Sequence, residues 1–304
     1  ISATTDTFQI STTQGGSAVA LTTNGSGTFA ATGNMSNMFN GCYSIQAIPS
    51  FNAGTTSSVA SMFSNCYSLI DAPALDTSKS TSHASMFTSC YSLVNAPYID
   101  TSASTALNHL FMNCHALRNV PLYKATLVTN FSSMFNACYD LQQVPLFDTS
   151  AGTNMSSMFS DCRALKTIPL LNTAVATDMS NMFYNCYALD SVPLLNTVSN
   201  QTMASMFSNC LTLKNIPLFV TSSVTTFASA FNTCYSLTTI PLLNTSAGTN
   251  FSAMFSTCNS LQSVPSLNTA NGTNFSNMFY GCYALQYIPT LDTSKATNVG
   301  TMFD

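Results

Sequence analysis

The chain has 304 residues, of which only 6% are charged, with no glutamate or tryptophan and a formal net charge of -4. That balance excludes the basic stripe that a nucleic-acid partner requires and the cationic patch of an electrostatic membrane anchor. No apolar run approaches the roughly 18 residues of a membrane span, no signal peptide is visible, and the polar share is mostly Ser, Thr and Asn, which suits an extracellular, cell or virion surface.

Residues 1–33 hold the first expected elements. TFQIST, AVALTT and GTFAAT read as short strands separated by QGGS and NGSG turns. They are expected to form a small β cap over the open edge of the next segment, or the end of a preceding module.

From residue 34 to residue 304 a strict clock takes over. Each of the eleven cysteines, from Cys42 to Cys282, lies 24 residues from the next, and each of the eleven prolines follows a cysteine by seven. A fixed period of this length marks a solenoid, in which each repeat is one coil stacked on the last. Residues 154–177 show one coil. Met155, Met158, Phe159 and Cys162 are spaced i, i+3, i+4, i+7, which predicts one face of a two-turn helix capped by Asn154. Leu165 and Ile168 carry the chain inward. Pro169 cannot donate to a ladder, so its column lies at a corner or strand edge. A short strand is expected near Ile168-Pro169-Leu170-Leu171, stacking into one parallel sheet, before a turn at Asn172-Thr173. The fold class is therefore an α/β repeat solenoid of about eleven coils with short helices, one parallel sheet and a β cap, roughly 50 Å long at about 4.8 Å per coil. No coil would fold alone, because ordering it costs more than its own apolar face returns. The chain halts in a twelfth coil at Thr301-Met302-Phe303-Asp304, so Met302 and Phe303 are candidates for end-to-end stacking with another copy.

The string M-F-x-x-C-x-x-L-x-x-[IV]-P-x-L-[DN]-T-S, carried by Met158, Phe159, Cys162, Leu165, Ile168, Pro169, Leu171, Asn172 and Thr173, resembles the BspA-type leucine-rich repeats of bacterial, mycoplasmal, protist and phage surface proteins. The resemblance spans residues 34–304. It implies a curved leucine-rich-repeat solenoid, secreted or displayed, used in adhesion, and it implies no substrate. The leader TTDTFQISTTQGGSAVALTTNGSG looks like short β-modules of phage virion proteins.

Among the columns, the cysteines read as free thiols packed as small apolar groups: identical side chains in one column point the same way, and one ligand per coil is no zinc spacing. Cys114 and His115 are adjacent, with His109 one turn earlier, but Cys114 belongs to the core column and His115 stands where Tyr is usual, so no nucleophilic pair is expected. His83 occupies a Met/Phe/Val core column. Asp76, Asp100, Asp148 and Asp292 share a turn column with Asn172 and Asn196, and they read as turn formers rather than acid/base pairs. The in-phase sequons at Asn130, Asn154, Asn250 and Asn274 read as caps.

The best functional lead is the column directly after cysteine. It holds Tyr43, Tyr67, Tyr91, Tyr139, Tyr187, Tyr235 and Tyr283, with His115, Arg163, Leu211 and Asn259 between them. Such an aromatic stripe is able to stack on sugar rings or a partner protein. Variation concentrates four and five residues after each cysteine, where Arg118, Lys166, Asp190 and Lys214 stand, and most of the few charges lie in or near this band. Two threonine columns, running from Thr77 and from Thr81, raise ice binding as a remote alternative. The expectation is a non-enzymatic surface solenoid, without cofactor or metal, that recognises a cell-surface glycan or protein. The rival is a structural protomer of a fibre or phage appendage.

Overall fold

The computed structural model describes residues 9–13, 17–22, 33–48 and 53–303. β1 (Gln9–Thr13) and β2 (Ser17–Thr22) pair antiparallel, from Gln9 opposite Thr22 to Thr13 opposite Ser17, with an irregular register between Ile10 and Thr12. Strands therefore stand where TFQIST and AVALTT predict them, while GTFAAT lies outside the described residues. β3 (Gly33–Asn34) pairs in parallel with β4 (Thr56–Ser58).

A solenoid with a 24-residue period follows, but its coils are not built as the spacing predicts. Among the described residues there is no α-helix. The stretch from Met155 to Leu165 is a ribbon of overlapping turns: the amides of Met158, Ser160, Cys162 and Leu165 donate to the carbonyls three residues back. The alternate amides, of Met155, Ser157, Phe159 and Asp161, donate instead to Asp178, Ser180, Met182 and Tyr184 in the next coil, at 2.6–3.0 Å. An α-helix would spend all of these amides on carbonyls four back. Here half are spent between coils, and the backbone turns through positive φ at Ser157 (56°) and Asp161 (59°) to do so. The apolar spacing survives because these turns also bring i, i+3, i+4 and i+7 to one side. Met155, Met158, Phe159, Cys162 and Leu165 are all fully buried.

The expected sheet is corrected as well. No strand forms at the Ile-Pro-Leu-Leu segment of the described coils; Pro169 has no amide to give, and its carbonyl accepts the Leu171 amide in a three-residue turn. Parallel pairing between coils persists as isolated bridges at the entrance to the ribbon. One series runs Ser82, Ala106, Asn130, Asn154, Asp178, and another runs Thr202, Thr226, Asn250, Asn274, Asn298. A return set of bonds runs the other way: Thr177 donates to Thr153, and Asp190 to Lys166, in the preceding coil. Each interface is thus sewn in both directions.

The core is a bundle of ladders. Twelve phenylalanine rings, from Phe39 to Phe303, stack with centroids 5.3–5.8 Å apart. Beside them all eleven cysteines are free thiols. From Cys66 onward each thiol donates to a phenylalanine carbonyl of the preceding coil: Cys162 reaches Phe135 at 3.1 Å, and the same carbonyl takes the Cys138 amide. Both lone pairs of that buried oxygen are filled. The sequence hides this second duty of the thiol. From Cys66 onward burial pushes the thiols up, to about 12 at Cys234 and about 11 at Cys282. A thiol reagent at pH 8 is accordingly expected to leave the buried cysteines untouched in the native chain, to find half-buried Cys282 first, and to titrate all eleven in denaturant. Rapid native labelling of Cys162 would contradict the ladder.

Candidate recognition face

The column after cysteine is held by the tight turn that follows each buried thiol, as where Leu165 donates back to Cys162. The turn aims the intervening residue outward, once per coil. The result is a continuous stack: Tyr43 on Tyr67 at 4.8 Å, Tyr67 on Tyr91 at 4.7 Å, Tyr91 on His115 at 4.7 Å and His115 on Tyr139 at 4.4 Å. Arg163 continues it, its guanidinium 4.1 Å from the Tyr139 ring and 5.7 Å from that of Tyr187. Beyond Tyr187, Leu211 and Asn259 interrupt the rings, and Tyr283 is left the most exposed of the column. Burial, with Arg163 nearby, lowers the His115 imidazole, so the ring is neutral at pH 7. Burial, with Tyr91 and Tyr43 alongside, raises the Tyr67 phenol.

This geometry changes what the stripe offers. From Tyr67 to Tyr139 both faces of each ring are spent on its neighbours, so they are closed to sugar rings. What reaches solvent is a row of ring edges and phenol hydroxyls, none of which bonds within the chain among the described residues.

The variable band lies beside this row. Arg118 pairs with Asp140 through Nε at 3.3 Å and Nη2 at 2.9 Å. Lys214 approaches Asp190 at 4.0 Å, and Lys166 is exposed with no ion pair among the described residues. These are exposed pairs that add little stability. Arg118, Asn119, Val120, Gln143, Val144 and Pro145 line an open groove of about 320 Å³.

The other candidates resolve into structural parts. The Cys114 thiol donates into the core to Phe87 while the His115 ring lies in the outer stack, so the adjacent pair is split between inside and outside. His109 sits at a positive-φ turn position, its Nδ1 3.0 Å from the Asn108 amide nitrogen. Asp76, Asp100, Asp148 and Asp292 each accept the amide two residues on; the serine hydroxyl there and that amide lower all four carboxyls. Asn130, Asn154, Asn250 and Asn274 accept amides in the same way at the mouth of the ribbon. In the first threonine column, Thr173 is buried and donates to the Asn196 carbonyl at 2.7 Å. The second column is exposed, with hydroxyls such as that of Thr153 turned to a carbonyl of the coil before. Buried or bonded hydroxyls make a poor template for ice. Met302 and Phe303 extend the columns: Met302 accepts the Phe279 amide, and the Phe303 ring stacks on Phe279 at 5.6 Å.

One exposed feature is absent from the sequence expectations. Leu170 and Leu171 read alike in the string, yet Leu171 is buried and Leu170 is 61% exposed. Comparing columns separates them. The position of Leu171 is always large and apolar, whereas that of Leu170 also admits Ala74, Ser266 and Thr290.

The solved structures that match the chain include bacterial leucine-rich-repeat proteins. A leucine rich cell surface protein from Faecalibacterium prausnitzii is 20% identical, with a TM-score of 0.51 over 87% of this chain and 79% of that one. A leucine-rich repeat protein from Eubacterium ventriosum is 18% identical, with a TM-score of 0.47 over 89% and 79%. At 20% identity the likeness to the first is one of fold. No curated protein matches the chain. The family model described as "Mycoplasma protein of unknown function, DUF285" matches residues 29–102, 105–215 and 201–304. A leucine-rich-repeat-like solenoid whose coils recur under that model from residue 29 to residue 304 belongs to the DUF285 family.

Proposed function

We propose that this chain is a non-catalytic recognition solenoid displayed at a cell or virion surface, binding a cell-surface glycan or protein partner through its tyrosine face. The observation that carries this reading is the row of unpartnered phenol edges from Tyr43 to Tyr187, set at coil spacing beside the variable band. Stacking fixes the rings, so their hydroxyls meet a ligand with little rotamer entropy left to lose. Neutral rings, with charges of both signs paired in the band beside them, favour polyhydroxylated or neutral protein surfaces over polyanions. A similar fold in a protein described as a cell surface protein agrees with display outside the cell.

The test is binding to a glycan array and to whole cells by the native chain and by Tyr67→Phe, Tyr91→Phe and Tyr139→Phe combined. These changes keep the stack and delete the hydroxyls. Binding is expected to weaken at least about tenfold, which is ~1.4 kcal/mol, with unchanged thermal unfolding. Equal binding by the triple variant would remove the tyrosine face from the mechanism.

A further inference from the structure

Six consecutive coils place a leucine at the outward position after proline: Leu122, Leu146, Leu170, Leu194, Leu218 and Leu242, each 58–61% exposed. The row is finite. Ala74 and Tyr98 precede it, and Ser266 and Thr290 follow it. The fold does not demand leucine there, because inward packing is served by the neighbouring buried column. At about 4.8 Å per coil the row is roughly 24 Å long. With the half-buried prolines beside it, it makes an exposed apolar row with a polar rim, the arrangement that marks an interaction surface. Polar rows flank it. Arg118, Asn119 and Pro145 share a groove on one side, and on the other Tyr98, in the same column, shares one with Asp76 and Asp100.

We propose that this row is the centre of a two-fold, antiparallel dimer between two copies of this chain. This surface is separate from the tyrosine face, and the proposal does not rest on that reading. Three observations select the occupant. A ladder repeating once per coil is matched rung for rung by an identical ladder. Six rungs put the dyad between Leu170 and Leu194, so Leu122 meets the partner's Leu242. The same dyad then arranges the flanking charges: Lys166 lies opposite the partner's Asp190, and Asp190 opposite the partner's Lys166. Arg118 lies opposite the partner's Thr238, Lys124 opposite the partner's Asn244, and Asp148 opposite the partner's Val220. Within the six rungs no like charges meet. A parallel pairing would exchange the flanks and set Arg118 against the partner's Lys124, a repulsive contact. Outside the leucines Asp76 does meet the partner's Asp292, and by the same dyad Lys79 lies in register with the partner's Lys295, so each carboxylate has a lysine of its own coil and one of the partner's close by. A stable dimer needs about 800 Å² a side, more than the leucines alone supply, so the flanking polar rows must close around them.

The experiment is sedimentation velocity on the full chain across micromolar concentrations, with Leu170→Arg, Lys166→Asp, Asp190→Lys and the double variant Lys166→Asp/Asp190→Lys. The native chain is expected to dimerise. Leu170→Arg, at an exposed site that leaves the core untouched, is expected to be monomeric with an unchanged circular dichroism spectrum. Each single charge reversal is expected to weaken the dimer about tenfold, and the double reversal to restore it. A native chain that stays monomeric, or forms open-ended assemblies, overturns the proposal. So does a double variant no tighter than the single ones.

Discussion

Phe159→Ala is expected to cost about 3–5 kcal/mol, the range for removing a fully buried aromatic. The Phe159 ring is fully buried and lies between Phe135 at 5.7 Å and Phe183 at 5.8 Å, so its loss opens a cavity shared by three coils. Two stacked contacts go with it, each worth about 0.5–1.5 kcal/mol beyond area. Because coils touch only their neighbours, the damage should be local. Amide hydrogen exchange is the measurement, with protection expected to fall most in residues 131–186 and least in distant coils. Phe303→Ala is the control: that ring is 60% exposed with a single ring partner among the described residues, so the loss should be below about 1 kcal/mol. Equal losses at the two sites would mean that the ring ladder does not carry core stability.

His83→Met is expected to stabilise the chain, and to do so more as the solution becomes acidic. His83 occupies a column otherwise filled by residues such as Val59, Leu107, Phe131 and Met155, and it is fully buried. The Thr77 hydroxyl donates to the Asp100 carbonyl, so at 3.0 Å it must accept from His83 Nε2, leaving Nδ1 as a buried acceptor without a partner. Burial, opposed by Asp100, lowers the imidazole from 6.5 to about 4. Between these values the unfolded chain binds the proton and the folded chain does not. Stability therefore falls as pH drops from 6.5 towards 4, by about 3 kcal/mol in all at 1.36 kcal/mol per unit. The turn carboxylates have lowered values, so their contribution is lost only at still lower pH, below the window of the histidine. Urea unfolding at pH 7 and pH 4.5 separates the two chains. A native chain no more acid-sensitive than His83→Met would show that His83 titrates normally.

The period and the inward columns are legible because repetition replaces an alignment: eleven versions of each position show which ones tolerate change. That is why Phe159, Cys162 and Leu165 can be placed inside from the string alone. The backbone differs from its expectation for a definite reason. A spacing of three, four and seven reports which residues share a side, and turns whose amides alternate between chain and neighbour satisfy it as well as a helix does. The distinguishing sign is the column before cysteine, where Gly41, Asn65, Asn113, Asp161, Asn185, Asn209 and Gly281 favour positive φ. The candidate face is half legible. Its residues stand out in the string, but whether Tyr67 presents a face or an edge depends on the ring next to it, and that is decided between coils. The leucine row is readable by the same column comparison, and is obscured because Leu170 and Leu171 are identical residues in opposite environments.

Bonds between coils depend on sequence offset and not on which coils they join: Thr153 is to Thr129 as Thr177 is to Thr153, and Cys162 to Phe135 as Cys186 to Phe159. A whole 24-residue unit can therefore be lost or duplicated with the new junction indistinguishable from the old ones, whereas any other length puts every later side chain out of phase. Unequal exchange between similar stretches of the gene would lengthen or shorten the rod in complete steps. Each step adds or removes one rung from the tyrosine and leucine rows together. Reach and valency become quantities that evolution can adjust by counting, without reinventing an interface.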